Sequence, residues 1–354
     1  MANMLEIDDR TQRVLIDTLT GFRAHYEKVD AAYEIFRQPL VASHDQSIYF
    51  TNSTTSVMKN TLLSKGTIES VQFLVQPAMG SQGIDNWTKS RTFGPYASYF
   101  HSLGAIYPID QGPFSCQDMM RLCTDNWAIE DRHLQFWLHP TDKNIAEVAR
   151  EGEVDFAVAE NMPVNYFRHQ YGELTLLGRN ANLMSIDDLG NAYIIGNLTL
   201  IEHTGKPKAW EVSFDSPTIA SSRLNLEHPT DSIPIKALEA VYDPLLRRVA
   251  KDCAMIVGAL TMEGLEPKSR GKNGILRKFF KTLVEIATAA EYTPVEIAEY
   301  IGAAATNELL IRDFISPQNV NTTSLEQSLI IANKWIPQLT KPGGTQIDCR
   351  QSLS

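Results

Sequence analysis

The chain has 354 residues, 43% apolar and 21% charged, with 17 prolines and 20 glycines scattered along it, a composition that suits one large or two modest globular domains. No run approaches the roughly 20 apolar residues that span a bilayer, and the opening MANMLEIDDRTQR carries acids where a secretory signal carries bases, so a cytoplasmic protein with no membrane partner is expected. The 32 lysines and arginines stand against 42 acids, and the net charge of −10 excludes nucleic-acid binding through bulk charge while leaving room for a local patch.

Taken in chain order, Leu5, Val14, Leu15, Thr18, Leu19, Phe22, Tyr26 and Val29 recur at three and four residue steps and predict one helix over 5–37. Ser47 to Thr51 reads as a short strand, and Val57, Met58, Leu62 and Leu63 as a second helix. Two β-rich segments between 71 and 107, VQFLVQ and YASYFHSLGAIY, flank the polar stretch Met79 to Pro95 and predict a hairpin with a long connecting loop. A helix near Gln117 to Asp125, a strand at 133–138, a helix from Asn144 to Arg150 and strands at 192–203 and 209–214 follow.

After about residue 234 no strand signal returns, and positions such as Leu246, Val249, Cys253, Ile256 and Leu260 share one helical face. The expected fold class is therefore α+β, with a sheet-bearing domain over 1–234, a helical domain over 235–340 and a frayed tail over 341–354. Cys116, Cys123, Cys253 and Cys349 match neither a disulfide framework nor a paired zinc motif and read as reduced thiols.

Searches for GxGxxG, Walker, HExxH and GxSxG patterns find none, the eight histidines are dispersed, and Asp187-Asp188 reads as a solvated turn, so no metal site is expected. Charge is more informative. From Arg247 to Lys281 nine bases face three acids, a local balance of +6, and Lys268-Ser269-Arg270-Gly271-Lys272-Asn273-Gly274 runs as a flexible basic loop into a helix. Backbone N–H groups and cations there can converge on phosphates, or the segment is simply a solvated helix face.

Five segments in order resemble the alanyl-tRNA synthetase family. Pro39 to Lys59 is similar to its proline, polar stretch and strand leading into F-T-N-A-G-M-x-x-F-K, with Phe50-Thr51-Asn52 and Lys59 in register. Ser98 to Gly104 is similar to T-F-F-E-M-L-G, and Ile195-Gly196-Asn197-Leu198 to I-W-N-L. Ser213-Phe214-Asp215 with Ser222-Arg223-Leu224 resembles S-V-D-T-G-M-G-L-E-R-L, and Arg248 to Lys281 resembles the helical tRNA-binding part.

That resemblance implies a class II synthetase core, an antiparallel sheet flanked by helices, followed by an all-helical domain that binds an acceptor stem. It implies activation of an amino acid with ATP and Mg2+ and transfer to tRNA or a small acceptor. Two alternatives are a non-catalytic paralogue that binds an amino acid or tRNA, and a transferase that uses aminoacyl-tRNA without ATP. In such a site Asp215 holds the ammonium and Asn197 adds an amide contact, while Arg223 clamps phosphate. Asp215 equally suits a turn cap before Pro217, and Arg223 a surface ion pair.

Several family positions differ. Gly80 stands where the family's second motif has a phosphate-gripping arginine, a loss that Lys89 and Arg91 are placed to offset. His101 replaces the acid of F-F-E-M-L-G, and Thr218 to Ser222 replace glycines beside the adenosine. Gly196 replaces a tryptophan, which predicts an enlarged amino-acid pocket. Lys268, Arg270, Lys272, Arg277 and Lys278 are the expected phosphate contacts for tRNA or another anionic partner through 247–281. The resemblance implies a match to the family's core, with no counterpart of its editing and C-terminal oligomerising domains expected in these 354 residues.

Overall fold

Leu15, Leu19, Phe22 and Tyr26 fall on one stripe of a helix and are all buried. In the computed structural model, which describes residues 9–340 apart from 44, 65, 173–174 and 316–322, that helix, α1, runs Asp9–Tyr26. It ends well short of the expected residue 37. The chain turns through a left-handed Ala31 (φ 57°) into a short strand, β1 (Tyr33–Glu34). Backbone bonds from Tyr33 and Ile35 to Val71 and Phe73 satisfy peptide groups that a longer helix would have paired internally.

The segment around Phe50 forms only a bridge to Val41. Ser53 then caps α2 (Thr54–Leu63) through a reciprocal pair of bonds with Ser56. The expected hairpin is present: β2 (Gln72–Met79) pairs antiparallel with β3 (Tyr99–Tyr107), and its long connection folds into α3 (Gln82–Ser90). Helix α4 (Gly112–Arg121) continues as one π turn to Asn126, followed by β4 (Leu134–Leu138), α5 (Lys143–Glu151) and β5 (Phe156–Val158). Strands β6 (Arg168–Gln170), β7 (Leu176–Ile186), β8 (Ala192–His203) and β9 (Lys206–Asp215) complete the sheet. Asp187 closes the β7–β8 turn by accepting the Leu189 and Asn191 N–H groups, as the solvated-turn reading predicts.

The sheet has nine strands in the order β1-β2-β3-β9-β8-β7-β4-β5, with β6 alongside β7. It is mixed, a correction to the antiparallel sheet expected. From β2 across to β4 every pairing is antiparallel, whereas β1 with β2 and β4 with β5 are parallel. The cause is local: a helix lies between the two strands of each parallel pair and carries the chain back to the end where it started.

After α6 (Ser216–Leu224) the described chain is helical, with α7 (Pro244–Met262), α8 (Gly271–Ala289), α9 (Pro294–Ile315) and α10 (Thr323–Leu339). The architecture is thus α+β, a mixed sheet flanked by helices and then a helical region. Its two main cores do not divide at residue 234. Leu40, Phe50, Trp87 and Tyr99 pack into the helical core, and Ile311 and Ile315 of α9 pack into the core of the sheet. A buried ionic chain crosses the same junction. Arg312 bonds Glu308 and Glu263, Glu263 accepts the Leu40 and Val41 N–H groups, and His101 of β3 lies 3.4 Å from Glu308. Burial raises the Glu308 carboxyl, and the positive fields of His101 and Arg312 outweigh it, holding the acid well below its ordinary value.

Cys116, Cys123 and Cys253 are free and buried, as their spacing predicts, and desolvation pushes the Cys116 thiol up to about 12. Cys349 and the expected tail lie outside the described residues, as does the start of the expected first helix. Among the described residues no helix is long and apolar enough to cross a membrane.

Candidate functional site

Side chains alternate across a strand, so the register determines which of them meet. Asn197 of β8 stands opposite Ser213 of β9, Thr199 opposite Glu211, and Asp215 opposite Ser102 of β3. These six polar residues occupy one face of the sheet and line a cavity of about 320 Å3. The intervening residues, such as Leu198, Val212 and Leu103, point the other way into the apolar core. Phe100, Ile194 and Tyr171 add apolar wall, and Asn52 and Ser53 border the cavity at the start of α2.

The roof is brought close by a missing side chain. A Cβ on Gly104 would lie within bonding distance of the Thr54 hydroxyl, so only glycine lets α2 settle onto β3 there. Glu211 then ties the roof down: its two carboxylate oxygens accept the Thr55 N–H at 3.2 Å and the Tyr171 hydroxyl at 3.0 Å. Lys59, buried under the same roof, pairs with Asp45 at 3.0 Å.

Asp215 is different. It caps α6, one carboxylate oxygen accepting the Thr218 N–H at 2.7 Å, and no ion pair joins it to any cation among the described residues. Desolvation raises its carboxyl above the ordinary value, and the Thr218 contact only partly opposes this. A half-buried carboxylate beside an open volume with no countercharge is stabilised by any cation that enters. On the same face of the sheet, Asn180 of β7 donates to Asn182 and, at 3.3 Å, to Asn197, which leaves the Asn197 amide nitrogen without a partner among the described residues. The buried Asn180 Oδ1 and Asn182 Nδ2 are also unpartnered, so this face of β7 beside Asn197 keeps hydrogen-bonding capacity in reserve.

Of the expected site residues, the fold brings Asp215, Asn197 and Gly196 to the cavity. Gly196 does not enlarge it, which corrects that expectation. A Cβ there would meet Phe214 at 2.5 Å and Met119 at 2.8 Å, on the apolar face, so the space is already filled by the Phe214 ring. Arg223 lies elsewhere: its guanidinium donates to the Val14 carbonyl and the Thr18 hydroxyl of α1, joining α6 to α1. Lys89 is exposed on α3, and Arg91 stacks over Trp87 at 5.4 Å from the ring centre. Neither lines the cavity.

The residues present do not fit a triphosphate in this cavity. Its charged lining among the described residues is two carboxylates, with no lysine or arginine, and desolvation pushes its one imidazole, His169, below its ordinary value. Polyphosphate sites need cations to balance the charge. Among the described residues no group of three or more His, Cys, Asp or Glu side chains is placed to hold a metal ion.

The basic segment is less positive in three dimensions than along the chain. Arg248 pairs with Asp231 and Glu227, Lys268 and Lys334 share Glu266, Lys278 pairs with Asp85, and Lys281 with Glu285. Arg270, Lys272 and Arg277 carry no ion pair among the described residues and cluster at the start of α8. The contribution of Glu211, Thr199 and the β7 asparagines was missed in the sequence, although the alternation Asn180, Asn182 and Asn197, Thr199 carries the signal. No protein-family model matches this chain, and a comparison with curated proteins finds no match.

Proposed function

We propose that this chain is a divergent protein of the alanyl-tRNA synthetase kind, with a class II core, that holds an amino acid or aminoacyl group by its ammonium and forms or transfers that group. The observation that carries the reading is convergence. Asn52, Phe100 and Ser102, Gly196 and Asn197, and Ser213 to Asp215 come from four separate stretches that resemble the family, and all line one cavity. Asp215 receives the ammonium, and the free amide nitrogen of Asn197 meets a carbonyl oxygen beside it. Arg270, Lys272 and Arg277 offer unpaired charge to tRNA or another anionic partner in the cytoplasm.

Two assays test this: pyrophosphate exchange with labelled ATP across the twenty amino acids, and deacylation of charged tRNA without nucleotide. Activity in either should fall at least about tenfold in Asp215→Asn, the loss of one charge-assisted bond. Activity unchanged in that variant overturns the assignment of the site. A second reading, a non-catalytic paralogue that binds amino acid or tRNA, is favoured by the positions of Lys89, Arg91 and Arg223 away from the cavity. It requires amine binding with both assays blank.

A further inference from the structure

The cavity's charge is one-sided, and this bears on what the amine can carry. Among the described residues Asp215 is bonded to Thr218 alone, and Glu211 lies on the same strand four residues away, facing the same side. No lysine or arginine among the described lining residues faces them, and Lys59 is already paired with Asp45. A free amino acid is a zwitterion. With its ammonium on Asp215, its own carboxylate sits about 5 Å from that of Asp215, a repulsion that costs on the order of a hundredfold in affinity in a protein-like dielectric. The compensating donors are all neutral: the amides of Asn197, Asn52 and Gln170 and the hydroxyls of Ser53, Ser102, Ser213 and Thr199. A carbonyl oxygen needs no more than that, whereas a carboxylate or a phosphate does.

We propose that the cavity selects a singly charged primary amine whose carboxyl is already esterified or amidated, and discriminates against both the free amino acid and ATP. The inference rests on the amine-binding reading above and narrows it: the carboxyl is activated before it arrives, as in an aminoacyl ester. Asp215 takes the ammonium, Asn197 donates to the carbonyl, and the substituent beyond the carbonyl occupies the rest of the cavity, which Phe100 and Ile194 help to line.

Calorimetric titration of the full chain at pH 7 tests this, with the twenty amino acid amides, each against its free acid, and with Mg-ATP. The expected result is at least one amide bound tenfold or more tighter than its acid, with no ATP binding below millimolar concentration. That amide should lose at least tenfold in Asp215→Asn, a substitution that keeps the α6 cap and so a melting temperature no lower than that of the native chain. In Asn197→Ala the same amide weakens while a simple alkylamine of equal length does not. Free acids bound as tightly as amides, or ATP bound at micromolar concentration with amines also bound, overturn the inference and leave the amine site standing. If neither amides nor acids bind, or Asp215→Asn changes nothing, the amine site falls and the inference with it.

Discussion

The two faces of the sheet are made by the same strands in strict alternation, yet they end in opposite states. On one, Leu103, Val212, Leu198 and Phe136 pack with α1, α4 and α5 into a continuous core. On the other, Ser102, Ser213, Asn197 and Asp215 surround a volume of about 320 Å3. The first face is satisfied by itself, since apolar groups need only to leave water. The second holds unpartnered amide atoms and an uncompensated carboxylate, which a packed core would have excluded at a cost of about 1–3 kcal/mol each. The packed face therefore carries most of the sheet's stability, and the polar face keeps groups that a ligand can satisfy.

The comparison breaks first at the packed face. Phe136, only 1% exposed, should cost about 3–5 kcal/mol as Phe136→Ala, read as a lower urea midpoint, while amine affinity of the remaining folded protein stays within about twofold. A loss of stability under about 1 kcal/mol would contradict the role given to this face. The next effect belongs to the roof. In Gly104→Ala the new methyl collides with Thr54, so α2 must lift, and we expect a loss of about 1–3 kcal/mol together with weakened amine binding as Thr55 leaves Glu211. Stability and binding both unchanged would show that α2 does not need the close approach.

The polar face can be sharpened by pH. Burial raises both Asp215 and Glu211 above their ordinary 3.8 and 4.5. A carboxyl whose folded-state value is raised contributes stability that is fully present below the ordinary value and is lost as pH rises through the raised one. Asp215→Asn should therefore gain on the native chain as pH climbs from 4 toward neutrality, measured as the difference between their urea midpoints. A difference that stays flat over that range argues against the uncompensated charge. The smallest effect on stability is expected at the start of α8. Replacing Arg270, Lys272 and Arg277 with alanine should alter stability by less than about 0.5 kcal/mol each. The salt slope of any tRNA binding should drop by about 0.7–0.9 per base removed.

Much of the site was readable in the sequence because the segments around Asn52, Phe100, Asn197 and Asp215 each carry recognisable local patterns. What escaped were residues whose role depends on a partner strand. Leu176 to Ile186 contains Gly178, Arg179, Asn180 and Asn182, residue types that resist β structure when taken alone. It becomes β7 because β8 and β4 pair with it on both sides. The position of Arg223 against α1 and the partial neutralisation of the basic segment escaped for the converse reason. Charge along a chain says nothing of the acids that fold back upon it, and Asp231, Asp85 and Glu227 lie outside the run that they neutralise.

By itself, then, the sequence determined the α+β class, the hairpin of β2 and β3, the switch to helices after residue 234 and the turn-capping position of Asp215 before Pro217, because hydrophobic period, turn residues and capping act over a few neighbouring positions. Only the tertiary structure decided the mixed sheet order, the polar face that unites five strands, the filling of the space beside Gly196 and the ion pairs of Arg248, Lys268, Lys278 and Lys281. Those depend on strand register and on contacts between residues a hundred or more apart, which no local pattern encodes.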